Sequence, residues 1–190
     1  MNALETRREQ VVADTQRWLE RAVIGLNLCP FAKSVHVKNQ VHYVVSFSAD
    51  LEALLATLAT ELQALAESDP EQRDTTLLVM PDALADFLDF NDFCALADEV
   101  LESLELDGTL QVASFHPQFQ FAGTRADDIG NCTNRGPYPT LHLLREASID
   151  RAVAVFPEAE MIYERNIETL EKLGHDGWAA LNVGASPETP

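Results

Sequence analysis

Cysteine is scarce in this chain: three in 190 residues, an odd number with no CxxC pair. That argues against a disulfide framework and fits a reducing compartment. In such a compartment Asn131-Cys132-Thr133, which has the form of a glycosylation sequon, carries no weight. No HxxxH or HExxH spacing occurs. A metal site would need Cys29, His116, Asp127, Asp128, Cys132 and His142 to be gathered by folding alone, so no metal and no cofactor is assigned. No apolar run approaches the ~18 residues that a membrane helix needs, and the opening MNALETRREQ is polar where a signal peptide would be apolar. The expectation is a cytoplasmic protein with no membrane partner. There is no internal repeat.

Positive charge is the other scarcity. Thirteen Lys and Arg face thirty-one Asp and Glu, a net charge of −18. The deficit is uneven: residues 39–115 hold Arg73 alone against sixteen acidic residues, whereas residues 116–151 hold four of each sign and balance to zero. Residues 1–38 are slightly basic. Such acidity repels phosphate backbones and anionic lipid, which argues against nucleic-acid and membrane binding. It also marks 116–151 as a neutral island.

What is present is the periodicity of an α/β domain. Val11, Val12, Thr15, Trp18, Leu19, Ala22, Val23 and Leu26 recur at steps of three and four and predict an amphipathic helix from Leu4 to about Leu26, stopping ahead of Cys29-Pro30. Ser34 to Asn39 allows a turn or a small edge-strand pair. VHYVVSF (41–47), TTLLVM (75–80) and TLQVASF (109–115) are strand-like. Leucine stripes between them predict helices over 50–66, capped by Ser48 or Asp50, and over 84–106. Strand, helix, strand, helix, strand with short joints predicts a small, mainly parallel sheet of three to four strands covered by helices. After Phe115 the periodicity fails, leaving a long irregular loop to Pro139, a length that is usually functional. Thr140 is placed as the cap of a short helix and Ser148 as a second cap. A long helix with Pro157 in its first turn then runs to Gly174. One globular domain is expected over 1–183, with a flexible tail over 184–190.

In a parallel sheet the ligand crevice lies beyond the carboxyl ends of the strands. That rule puts Ser46, Ser48, Met80 to Asp82 and His116-Pro117 on one rim, with His116 placed to act as acid or base. Helical spacing would set His142, Arg145 and Glu146 on one face behind a Thr140 cap. The free N–H groups of that cap, with Arg135, Asn131 and Asn134, would form an anion site. Arg125 belongs to the same neutral island, and Tyr138 stands between Pro137 and Pro139, either of which allows a cis bond. Asp128 and Cys29 are candidate assistants to His116. CPFA at Cys29 resembles the CPxC of dithiol redox proteins, with Ala32 where the second cysteine would stand and a helix rather than a strand ahead of it. Cys94 lies on an inner helical stripe.

LNLCPFA, DFNDF, QVASFHPQFQFAG, NCTNRGPYPTLHLLREASIDRA and IYERNIETLEKLG together resemble a bacterial family described as domain of unknown function 1415, over about Thr15 to Gly174. The resemblance implies a single-domain cytoplasmic bacterial protein and supplies no activity. The expected function is that of an enzyme acting on a small phosphate- or carboxylate-bearing metabolite between the His116 rim and residues 131–146. The alternatives are a non-catalytic ligand- or partner-binding module using the same pocket, and a thiol or metal site centred on Cys29 and Cys132.

Overall fold

A computed structural model describes residues 2–156 and 158–187. Helix α1 (Ala3–Trp18) starts at Asn2, whose side chain accepts from the Leu4 N–H. It runs on as a π-helical turn, Leu19–Ile24, so the long first helix is confirmed. The chain leaves it through Asn27 at a positive φ of 55°. Residues 34–39 offer no edge strand: they belong to or follow the short helix α2 (Ala32–Val37).

Three strands form where their β-branched and apolar runs predict: β1 (Val41–Val45), β2 (Thr75–Val79) and β3 (Leu110–Phe115). Between them lie α3 (Leu51–Glu67), capped by Asp50, and α4 (Phe87–Ser103), capped by Asp86. The segment expected as a capped helix is instead a fourth strand, β4 (Thr140–Arg145). Its residues pair on both sides, and the sheet order is β1-β2-β4-β3. Only β1 and β2 are parallel neighbours; β4 runs antiparallel to both β2 and β3. The sheet is therefore mixed rather than mainly parallel. The physical reason is burial on two faces: Leu141 and Leu143 are sealed on one side while His142 is partly buried on the other, an alternation that only a strand delivers. Helix α5 (Glu146–Val155) follows directly. Ser148 lies inside it and donates to Asp74 at 2.6 Å, rather than capping anything. Helix α6 (Ile162–Ala180) is interrupted at Gly174, whose φ of 70° breaks the helical geometry before a last turn and a half. Pro157 lies outside the described residues, and the long helix starts later than expected, at Ile162, after a 3-10 turn over Ala159–Met161.

The two sheet faces hold separate cores. Leu54, Leu58, Leu62 and Leu65 of α3 and Phe90, Phe93 and Ala97 of α4 close over Leu78, Leu141 and Leu143. Each such leucine or phenylalanine contributes roughly 1.5–3 kcal/mol on burial. On the opposite face Val11, Trp18, Leu19, Ala22 and Val23 cover Leu77, Val79 and Val45. A third cluster of Leu28, Cys132 and Leu170 fastens α6 to the loop.

The basic amino end serves this packing. Arg7 pairs with Asp82, and Arg8 donates to the Val45 carbonyl. Arg17 reaches the carbonyls of Asn182 and Gly184, and Arg21 that of Leu181. Asp14 is fully buried and accepts from Gln10, Tyr138, and both the N–H and the hydroxyl of Ser186. Burial pushes its carboxyl up, but these donors outweigh it and hold the group below the ordinary carboxylate range. Residues 184–186 of the expected tail are thus tied to α1, and residues 188–190 lie outside the described residues.

Candidate functional site

The carboxyl ends of β1, β2 and β3 and the start of β4 share one rim, and the connection 116–139 rises from it. One histidine on this rim bonds to both the segment ahead of α4 and the start of the connection. His116 is fully buried, its ring lying between those of Phe87 and Phe90. Its Nε2 contacts the Leu84 carbonyl at 2.9 Å, and its Nδ1 accepts the Gln118 N–H at 3.0 Å. That pairing requires the neutral tautomer with the proton on Nε2. Burial likewise pushes the imidazole below its ordinary pKa. Neither nitrogen is left for proton transfer. The Leu84 contact also stabilises a backbone conformation, φ 58°, that a leucine rarely adopts.

The segments fastened to His116 both line a cleft of about 480 Å³. Asp86, Phe87 and Leu88, at the head of α4, make one wall; Pro117, Gln118, Gln120, Ala126 and Arg135 make the other. Arg135 donates through Nε to the Phe119 carbonyl at 3.1 Å and through Nη2 to the Ala126 carbonyl at 2.7 Å. Carbonyls fix its plane without neutralising it. No carboxylate pairs with it among the described residues.

The remaining residues of the neutral island hold the connection in shape. Asn131 is fully buried; its Oδ1 accepts from Phe121 N–H and Thr124 Oγ1, and its Nδ2 donates to the Arg125 carbonyl. Asn134 donates to the Ser114 carbonyl. Arg125 pairs with Asp127 in the open, while Asp128 accepts the Arg125 N–H. Tyr138 donates to Asp14, and burial with that carboxylate raises its phenol well above the ordinary value. Thr140 donates to the Tyr138 carbonyl. No peptide bond among the described residues is cis.

Two expected members lie elsewhere. His142 sits in mid-strand, its Nε2 2.6 Å from Thr75 Oγ1. Since Thr75 donates its own proton to the Leu143 carbonyl, the imidazole must donate to Thr75. Arg145, at the far end of β4, is roughly 17 Å along the strand from Thr140. There it donates to the carbonyls of Leu65, Ser68 and Arg73. With 140–145 in a strand, there is no helix start at Thr140 and hence no anion site of that kind. Cys29 and Cys132 fall in different packing clusters, and burial raises both thiols. Among the described residues no three His, Cys, Asp or Glu side chains are grouped to hold a metal.

A family model described as protein of unknown function (DUF1415) matches residues 10–180. The chain belongs to this family. No curated protein matches it, and neither does any solved structure. The matched span of the DUF1415 chain contains both walls of the cleft. A second, smaller hollow of about 260 Å³ in the same span lies between residues 26–30 and α6. Two of its polar side chains are already engaged: Arg165 pairs with Glu158 and Asn166 donates to the Leu28 carbonyl.

Sequence reasoning reaches His116 and Arg135 but not Asp86, Phe87 or Leu88. The available signal was the helix start itself, an aspartate two residues ahead of a leucine that falls off the buried stripe of α4.

Proposed function

We propose that the cleft between the head of α4 and the 117–135 connection binds a small metabolite through a carboxylate or phosphate group. The supporting observation is Arg135: a guanidinium oriented by two backbone carbonyls, lining a cleft, with no carboxylate partner among the described residues. Guanidinium in a fixed plane is suited to bidentate capture of such an anion. The volume falls in the lower half of the ~300–1,000 Å³ typical of small-molecule pockets. His116 serves as a positioning residue that sets the separation of the walls. A binding role therefore fits this geometry better than acid–base chemistry at His116. The free thiols of Cys29, Cys94 and Cys132 support a reducing, cytoplasmic setting.

A thermal-shift screen of phosphorylated and carboxylated metabolites tests this. A ligand of the native state raises the melting temperature by mass action, and the rise should vanish in Arg135→Ala. Stabilisation that survives the substitution places the anion elsewhere, and a screen with no stabilising anion removes the proposal.

A further inference from the structure

The geometry points to a zwitterionic amino acid with an apolar side chain as the occupant of this cleft, an inference that rests on its being a ligand site at all. The cleft carries both signs of charge. With Arg135 in the lining is Asp86, whose Oδ1 is used in capping α4, accepting from the N–H groups of Leu88 at 2.8 Å and Asp89 at 3.2 Å. Its Oδ2 has no partner among the described residues, and no ion pair joins Asp86 to Arg135 or to any other cation there. Opposite charges that line one cleft without meeting leave a gap for a molecule carrying the complementary pair: a carboxylate for Arg135 and an ammonium for Asp86.

The walls between them are apolar. Phe87 is held against the rings of His116 and Phe119. Leu88, 71% exposed, also lines the cleft and offers apolar surface to an occupant. Pro117 adds further apolar lining. An aliphatic or aromatic side chain set between the two charged groups would cover Leu88. Net charge selects in the same direction. A chain at −18 repels phosphates and dicarboxylates at long range, whereas a zwitterion of zero net charge approaches without that penalty. Finally, His116 fixes one wall through Leu84 and the other through Gln118, so the spacing of the two charges is preset rather than formed on binding.

Isothermal titration calorimetry with L-leucine, L-methionine and L-phenylalanine tests the inference, alongside 4-methylpentanoate, which lacks the ammonium, and L-leucinamide, which lacks the carboxylate. At least one amino acid should bind, and its affinity should fall by about tenfold or more in Asp86→Asn and in Arg135→Gln. Asparagine caps helices as well as aspartate does, so Asp86→Asn removes charge and leaves α4 intact. 4-Methylpentanoate and L-leucinamide should each bind correspondingly more weakly. If 4-methylpentanoate binds as tightly as L-leucine, or Asp86→Asn changes nothing, the zwitterion is overturned while anion binding at Arg135 stands. If none of the three amino acids binds, the zwitterion is overturned whatever the metabolite screen returns. Only a screen in which no carboxylate or phosphate binds removes the cleft as well.

Discussion

Histidine shows how little a residue's chemistry says without its neighbours. His116 and His142 look alike in sequence, two imidazoles in a polar stretch, and both prove to be held neutral by burial. For His142 burial pushes the pKa down to about 4 from the ordinary 6.5. Above pH 6.5 both folded and unfolded chains carry the neutral ring, and its packing counts in full. As pH falls below that value the unfolded chain takes up the proton first, so stability drops until the folded ring titrates near pH 4. The loss amounts to roughly 3 kcal/mol at most. Urea unfolding of wild type and His142→Gln across this range should show the variant losing less stability on acidification, because its amide still donates to Thr75 but does not titrate. Parallel curves would show that His142 is protonated in the fold. The position of His116 at the end of a strand was legible; its partners were not. Leu84 lies 32 residues away in sequence, and it is brought into place by the packing of α4.

Among the elements, β4 carries the main difference between sequence and structure. In TLHLLRE the leucines and the polar residues satisfy helical spacing, and a stretch this short does not separate the two periods. What decides is pairing with two strands distant in sequence, information no local window contains. α3 and α4 were legible because their inner stripes are long and face one layer, and β1, β2 and β3 because their runs are rich in β-branched and apolar residues. The strand also moves Arg145 from an anion clamp to a fastening for the end of α3, where last-turn carbonyls favour a cation. Arg145→Ala should therefore lower stability by about 2–3 kcal/mol, a fall of roughly 5–10 °C in melting temperature. Affinity for any ligand of the cleft should be unchanged. Loss of binding without loss of stability would restore Arg145 to the site.

At the scale of the whole molecule, charge and topology act on different problems. Arg17 and Arg21 are engaged in fastening the two ends of the fold and Arg7 pairs with Asp82, so the acid of residues 39–115 is left to dominate the surface. Self-repulsion of that kind is screened by salt: at about 0.5 M sodium chloride the Debye length is about 4 Å. The melting temperature should rise by a few degrees between low salt and that concentration, measured by scanning calorimetry; a flat or falling response would mean the acidic groups are compensated locally. The strand order has a consequence in time. β2 and β3 are made first, yet their shared neighbour β4 is encoded after both. A chain emerging from the ribosome at roughly 5–20 residues per second must hold an open slot in its sheet for several seconds. Two bare strand edges are on offer to any passing chain until the last 45 or so residues begin to appear. For this fold the vulnerable moment is synthesis, and a translational pause ahead of β4 would lengthen it.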